Sequence, residues 1–224
     1  MLEVALVLGA YLAGSISSSI LIVRLVAGYD IRQHGSRNAG ASNVLRVVGF
    51  APALAVLAID VLKGVLPVQV ATWVEAPGGV IGAAAVAAVV GHMFPAFHGL
   101  RGGKGVATAT GALGSLAPLP AALSAAVFFA IASTTRYVAL ASLIAVTSFP
   151  LLLYLCGWAG WTAAVPRWLL GNAGVIVLLV IIKHHDNIRR LMSGREHRLG
   201  DAEPGEQAEV KAVEERAPGG ENQA

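Results

Sequence analysis

Long apolar segments alternate with short polar segments along this chain, and this pattern predicts a series of membrane-spanning helices. A helix needs about 20 apolar residues to cross the hydrocarbon core of a bilayer. The segments that we interpret as spans are residues 2–27, 50–74, 78–97, 105–134, 137–157 and 168–185. The predicted fold class is therefore all-α, and the chain is expected to be a polytopic integral membrane protein.

The segment 105–134 decides the number of spans, because it contains Pro118 and Pro120. Loops rich in Lys and Arg tend to stay in the cytoplasm, and a single crossing here would send the basic C-terminal end outside. Splitting the segment at the prolines, into two short crossings of about 15 residues each or a re-entrant hairpin, returns that end to the cytoplasm. We therefore predict seven transmembrane helices, with the N-terminus outside and the C-terminus cytoplasmic.

The composition agrees with this location and excludes several classes of protein. Hydrophobic residues make up 56% of the 224 residues, more than an ordinary soluble chain contains. The net charge is only +3, and most Lys and Arg lie in connecting segments, which suits anionic lipid head groups or phosphates and not nucleic acid. Cys156 is the only cysteine, which excludes an intramolecular disulfide and a cysteine-based zinc site.

The C-terminal segment 201–224 differs from the rest of the chain. It is polar, rich in Glu, Gly and Pro, and poor in apolar residues. Such a segment is predicted to be a disordered cytoplasmic tail. The membrane-embedded domain is accordingly predicted to comprise residues 1–200.

The first polar stretch, residues 29–46, mixes cations, glycines and small hydrogen-bonding groups. Arg46 offers a guanidinium suited to bidentate phosphate binding, and Ser36, Asn38 and Asn43 can bond acyl or phosphoryl oxygens. The alternative is that a serine of this stretch only caps a short helix that runs to Gly49.

The second polar stretch is a basic, glycine-rich loop around Lys104. Glycines allow backbone N–H groups to gather around an anion, and the lysine adds a mobile positive charge. A nucleotide-binding P-loop is excluded, because the first required glycine is replaced by His98 and Lys104 is followed by Gly105 instead of Ser or Thr. The alternative is a flexible turn whose cations only mark the cytoplasmic side.

The third polar stretch follows the last apolar segment. His184 and Asn187 are three residues apart, so on a helix they share a face, and His184 is a candidate proton acceptor. The adjacent His184 and His185 do not predict a metal site, because they point in different directions and no carboxylate cluster accompanies them. The alternative is a basic helix anchored at the lipid surface.

Two charged residues lie inside a predicted span. Asp60 and Lys63 have the helical spacing that lets them neutralise each other in the bilayer. The pair is a candidate for a functional role or for a structural clamp between helices. By residue chemistry alone, the three polar stretches could bind a lipid head group, transport a phosphorylated solute or transfer an acyl group.

The motifs add a family resemblance. Residues 35–46, residues 91–95 together with 102–108, and residues 184–191 closely resemble the three motifs of the bacterial acyl-phosphate-dependent glycerol-3-phosphate acyltransferases, the PlsY family. Residues 60–64 match a further family element, Asp-x-x-Lys-Gly. The resemblance extends from about Gly14 to Glu196. Two positions depart from it, since Arg37 stands where glycine is common and Ala139 where serine is frequent.

The resemblance implies a seven-helix enzyme of the bacterial inner membrane with its active site facing the cytoplasm. Such an enzyme transfers a fatty acyl group from acyl phosphate to glycerol 3-phosphate, giving 1-acylglycerol 3-phosphate and phosphate, the first step of phospholipid synthesis. The implied partners are these two substrates, membrane lipids and the enzyme that forms acyl phosphate, with no cofactor and no metal. The alternative function is a transporter of a phosphorylated metabolite, for which the chain lacks a clear two-halved repeat.

The resemblance also implies roles for individual residues. The expected catalytic residues are Ser36, His184 and Asn187, with His184 either deprotonating or orienting the glycerol hydroxyl. The expected substrate-binding residues are Arg46, Gly102, Gly103, Lys104, Gly105, Asn38 and Asn43. The residues expected to support the site without touching substrate are Asp60, Lys63, His92 and Glu196.

Overall fold

The computed structural model describes residues 1–200, and in this range the chain is helical and contains no strand. Its α-helices are α1 (Leu2–Gly14), α2 (Ser18–Ala27), α3 (Ala41–Val47), α4 (Phe50–Trp73), α5 (Gly78–Met93), α6 (Val106–Leu116), α7 (Pro118–Thr135), α8 (Val138–Trp158), α9 (Arg167–Lys183) and α10 (His185–Met192). Short 3-10 helices form at Ile31–Gln33 and Ala96–His98. The predicted tail, 201–224, lies outside the described residues.

Five helical segments are long and apolar enough to cross a membrane: Leu2–Ala27, Phe50–Trp73, Gly78–His98, Pro118–Thr135 and Val138–Trp158. A sixth candidate is the pair α9 and α10, which is bent by 59°. The predicted all-helical membrane fold is confirmed. The seventh apolar segment, α6, has only 11 residues, so seven full crossings remain a prediction.

The first apolar segment is not the single helix from 2 to 27 that the sequence predicted. Helix α1 ends at Gly14 and α2 begins at Ser18. The hydroxyl of Ser15 donates to the Tyr11 carbonyl at 2.8 Å, and the ammonium of Lys63 donates to the Ile16 carbonyl at 3.0 Å. Serine hydroxyls compete with the backbone for hydrogen bonds, and Lys63 satisfies a carbonyl that the break exposes. The first span is therefore a broken helix whose break is held by α4.

The apolar segment 105–134 breaks where the prolines predicted, but its halves are unequal. Helix α6 has 11 residues and α7 has 18, instead of about 15 each. Proline is tolerated in the first turn of a helix, so α7 begins at Pro118 and keeps both prolines in that turn. At the far end of α7, the Arg136 guanidinium donates to the Leu199 carbonyl. The end of α7 thus lies beside the end of the described chain.

Glycines bring the helices into close contact. Side chains at Gly14 and Gly91 would clash with backbone atoms of Ala88 and Tyr11, so α1 and α5 touch backbone to backbone. Gly64 of α4 meets the backbone of Thr108 in α6 in the same way. Small residues allow such close packing of membrane helices. These contacts fix the two helices, α5 and α6, that flank the glycine-rich loop.

Candidate active site

The glycine-rich loop begins by capping the end of α5. The Gly102 N–H donates to the Met93 carbonyl at 3.2 Å, and the Gly103 N–H donates to the His92 carbonyl at 3.1 Å. The last carbonyls of a helix lack intrahelical partners, and these two bonds satisfy two of them. In this structure both N–H groups are bonded to the end of α5, and the substrate-binding role expected for Gly102 and Gly103 stays a prediction.

Close packing explains why these positions are glycine. A Cβ on Gly103 would clash with Nε2 of His92 and would lie 2.8 Å from the Ala39 carbonyl oxygen. Gly105 has a φ of +81°, in the left-handed region that glycine adopts at least cost. The loop is therefore clamped between α5 and the first polar stretch, and it leads directly into the first turn of α6.

Lys104 follows this clamp and faces several charged residues. Burial lowers its pKa to about 8, with Glu196 acting in the opposite direction and Arg190 and Arg46 adding to the decrease. Within residues 1–200, these charges act on its ammonium group through space, and it forms no hydrogen bond or ion pair there. The unpaired N–H groups at the start of α6 add partial positive charge beside it. Lys104 is therefore a cation that a bound anion can approach.

His184 lies between α9 and α10 and is 1% exposed. Its Nδ1 is 2.8 Å from the Val180 carbonyl oxygen, so Nδ1 carries the proton and the neutral ring presents Nε2 as an acceptor. The ring lies close to the ammonium group of Lys104.

Asn187 is oriented by Glu196, which lies in the segment after α10. The Asn187 Nδ2 donates to one carboxylate oxygen of Glu196 at 2.6 Å, and the Arg190 Nε donates to the other at 2.8 Å. Asn187 is 4% exposed, whereas its neighbour Asp186 is exposed, so His184 and Asn187 share the inward face as predicted. Arg190 was missed by the sequence analysis, although its position three residues after Asn187 puts it on the same helix face.

Asn43 organises the first polar stretch. Its Oδ1 accepts the Ser36 N–H at 2.9 Å, and its Nδ2 donates to the carbonyls of His34 at 3.1 Å and Asn38 at 3.0 Å. Asn43 is buried, so its amide holds the loop in shape and is turned away from solvent. Ser36 is exposed.

Arg37 stands next to Ser36 with a φ of +59°, a left-handed conformation that costs a non-glycine residue roughly 1 kcal/mol. This conformation gives a physical reason for the preference for glycine at this position that the family resemblance implied. Ser42 forms no cap, because the short helix α3 begins at Ala41 with Gly40 before it and no side-chain cap bond.

A buried polar cluster packs against the glycine-rich loop through the ring of His92. Asp60 Oδ1 accepts from Ser18 Oγ at 2.7 Å, pairs with Lys63 Nζ at 2.8 Å, and lies 3.5 Å from Nδ1 of His92. Because Lys63 also holds the Ile16 carbonyl and His92 touches Gly103, the cluster joins the break in the first span to the loop that carries Lys104. The supporting roles expected for Asp60, Lys63 and His92 agree with this geometry.

The structure therefore brings two of the three polar stretches into one site and places the third against it. One group contains Lys104, His184, Asn187 and Glu196. Arg46 of α3 is close enough to this group for its positive charge to lower the pKa of Lys104. Within residues 1–200, no group of three or more His, Cys, Asp or Glu side chains could hold a metal ion.

The fold and the site define an all-helical membrane protein with a cationic, histidine-containing centre at the end of its spans. A sequence model of the family described as glycerol-3-phosphate acyltransferase matches residues 4–194. The chain belongs to this family, which confirms the resemblance drawn from the motifs.

Similar proteins and solved structures agree with this family assignment. The chain is similar to the glycerol-3-phosphate acyltransferase of Halalkalibacterium halodurans, at 44% identity over 87% of this chain and 94% of the relative. It is also similar to the glycerol-3-phosphate acyltransferase of Geobacter sulfurreducens, at 42% identity over 88% of this chain and 97% of the relative. A crystal structure of PlsY, an integral membrane glycerol 3-phosphate acyltransferase in its glycerol 3-phosphate form, has a TM-score of 0.83 and 39% identity, covering 94% of this chain and 99% of that chain. A crystal structure of PlsY in its lysophosphatidic acid form has a TM-score of 0.80 and 38% identity, covering 89% of this chain and 96% of that chain.

Proposed function

We propose that this glycerol-3-phosphate acyltransferase takes its acyl group from acyl phosphate and binds both substrates around Lys104. The primary hydroxyl oxygen of glycerol 3-phosphate attacks the acyl carbonyl carbon. The bond from that carbon to the phosphate oxygen breaks, and phosphate leaves with the bonding electrons. The hydroxyl proton passes to a base, and the products are 1-acylglycerol 3-phosphate and inorganic phosphate.

The observation that carries this proposal is the gathering of cations around a neutral histidine. Lys104 has no recorded partner in the described part of the chain, and Arg190 and Arg46 are close enough to lower its pKa. Both substrates carry a phosphate group, so a centre with several cationic side chains suits a reaction in which two phosphates meet. Phosphate is a good leaving group, so positioning and charge stabilisation can suffice without a covalent acyl-enzyme.

Roles for single residues follow from their surroundings. His184 accepts the hydroxyl proton at Nε2, since its Nδ1–H is fixed by the Val180 carbonyl. Asn187 has one amide N–H on Glu196 and a second N–H for a carbonyl or phosphoryl oxygen. Ser36 and Asn38 approach from the first polar stretch, and Arg46 binds phosphate beside Lys104. Gly105 contributes through the first turn of α6, whereas Gly102, Gly103 and Asn43 hold the site in shape.

The predicted topology belongs to the same proposal. Trp73 ends α4, Trp158 ends α8 and Trp161 follows α8. All three are exposed, which suits an interfacial belt at the end opposite to the cationic loops. We place the cationic end in the cytoplasm of a bacterial cell, on the inner membrane, with seven spans and an external N-terminus. The enzyme that forms acyl phosphate would then supply the donor from the same side.

A donor comparison tests the proposal. Detergent-purified protein is given glycerol 3-phosphate with palmitoyl phosphate in one sample and with palmitoyl-CoA in the other, and lysophosphatidic acid and free phosphate are measured. We expect product only with palmitoyl phosphate, with one phosphate released per lysophosphatidic acid formed. Product from palmitoyl-CoA alone would overturn the donor assignment while leaving the acyltransferase activity in place.

Cysteine labelling tests the orientation. In a Cys156→Ser background, Gly160→Cys and Arg195→Cys are exposed to a membrane-impermeant maleimide in spheroplasts. Both positions are exposed, one after α8 and one after α10. We expect the first to be labelled in intact spheroplasts and the second only after lysis, and the reverse pattern would contradict the orientation.

A further inference from the structure

An open cationic cleft lies on the surface outside the group around Lys104. It is lined by Arg24, Arg32, Phe97, His98, Gly99 and Arg101, and its volume is about 470 Å³. We call these six residues the arginine cleft. The cleft is formed by the last turn of α2, the 3-10 helix Ile31–Gln33 and the loop that follows α5. None of these residues belongs to the set to which substrate or catalytic roles are given above.

Two of the arginines are held rigidly by one carboxylate. Asp30 pairs with Arg24 at 2.9 Å and with Arg32 at 2.7 Å, and Arg32 also donates to the His98 carbonyl at 2.8 Å. The hydrogen bond from Arg32 holds the pKa of Asp30 well below its usual range, so Asp30 stays ionised at physiological pH. This arrangement preorganises the wall of the cleft.

The cleft keeps an excess of positive charge. Three guanidinium groups, on Arg24, Arg32 and Arg101, line the cleft, and the carboxylate of Asp30 pairs with the first two. For Arg101, no side-chain hydrogen bond or ion pair is recorded among residues 1–200, and its side chain is exposed. The Nδ1 of His98 is buried without a hydrogen-bond partner in the same part of the chain. An anion in the cleft would meet an arginine without an internal partner and two that are already oriented, which suits phosphate recognition.

Exposed apolar side chains line the cleft or are adjacent in the chain to residues that line it. Leu25, next to Arg24, is 87% exposed, Phe97 is 61% exposed, and Leu100, next to Arg101, is 57% exposed. In a membrane protein, such residues at the end of a span contact acyl chains. A free phosphate ion would contact the arginines but not these apolar side chains. A membrane lipid would contact the arginines with its phosphate and the apolar side chains with its acyl chains.

We propose that the arginine cleft binds the phosphate of an anionic membrane lipid, separately from the acyl-transfer site, with the lipid chains along Leu25, Phe97 and Leu100. Binding draws on charge-assisted hydrogen bonds to Arg101 and Arg24 and on contact of the acyl chains with the apolar rim. Since Arg101 lies three residues before Lys104, an occupied cleft would steady the loop that carries the catalytic cation.

Native mass spectrometry of the full chain in detergent tests this proposal. The protein is titrated with phosphatidylglycerol and, separately, with phosphatidylcholine of the same chains, and bound lipid is counted. We expect tight retention of phosphatidylglycerol over phosphatidylcholine. Arg101→Gln should weaken phosphatidylglycerol binding about tenfold, the loss of one charge-assisted bond, and added salt should weaken it further. Arg24→Gln should weaken binding in the same direction.

Arg189→Gln is the matched control. Arg189 is an exposed arginine on α10, outside the cleft, and its replacement removes the same charge. Equal phosphatidylglycerol binding by Arg101→Gln, Arg24→Gln and the parent protein would overturn the proposal, and so would an equal loss in Arg189→Gln.

A third arm adds inorganic phosphate or glycerol 3-phosphate. Displacement of phosphatidylglycerol by either at equal concentration would show a site for soluble phosphate and would overturn the lipid assignment.

Discussion

Removing the carboxylate of Asp60 should strongly destabilise the protein, because it leaves the ammonium of Lys63 charged inside the helix bundle. The two side chains are 2% and 6% exposed and their charged atoms are 2.8 Å apart. Breaking a buried ion pair by removing one partner costs about 3–5 kcal/mol. In Asp60→Asn, Lys63 would keep only the Ile16 carbonyl and a neutral amide as partners.

The assay is thermal unfolding in detergent, followed by tryptophan fluorescence. For a domain of this size, each kcal/mol shifts Tm by about 2–4 °C, so we expect Asp60→Asn to unfold about 6–20 °C below the parent protein. Acyl-transfer activity should fall as well at temperatures where the variant is still folded, because His92 loses the group that it faces and Gly103 packs on His92.

The matched control is the double variant Asp60→Asn, Lys63→Met. It removes the stranded charge, so it should recover part of the lost stability, and its loss should be smaller than the sum of the two single losses. A Tm for Asp60→Asn within 1 °C of the parent value would refute the reasoning, since it would show that the pair does not hold the break in the first span.

Further predictions concern the loop, the site and the tail. Gly103→Ala should abolish activity because its Cβ would clash with His92, whereas Gly9→Ala, with open space around it, should be near normal in an acyl-transfer assay. Glu196→Gln should lower kcat about 10-fold or more with a small change in KM, because the charge that orients Asn187 is lost; an unchanged kcat would contradict this role. The charge of Lys104, with its pKa of about 8, is lost as pH rises, so kcat/KM should fall above pH 8, and Lys104→Arg should move the fall to higher pH. Truncation after residue 200 should leave activity unchanged in the same assay if 1–200 is the complete catalytic domain.

Local signals were sufficient for the parts of the fold that depend on single segments. Apolar length predicted the helices, and the fixed φ of proline predicted the break at Pro118. The spacing of His184 and Asn187 predicted their common face. Each of these features is decided by residues that lie within one or two helical turns of each other.

Features that depend on a distant partner could not be predicted. The first span breaks where Lys63 of another helix reaches the Ile16 carbonyl, a contact that no local pattern contains. The hydrogen bonds from the N–H groups of Gly102 and Gly103 to the last carbonyls of α5 also depend on how the loop folds back onto that helix. The role of Asn43 as the centre of its loop likewise depends on carbonyls that converge only after folding.

The most direct test of the active-site assignment is the rate at which Lys104→Met forms lysophosphatidic acid from palmitoyl phosphate. This rate is compared with that of the parent protein, after thermal unfolding has shown that both have the same Tm. We expect a loss of 100-fold or more, since about 3 kcal/mol of phosphate stabilisation disappears with the charge. We also expect Lys104→Arg to keep a substantial part of the rate. A Lys104→Met protein that folds normally and transfers the acyl group at the parent rate would contradict the placement of the reaction at this lysine.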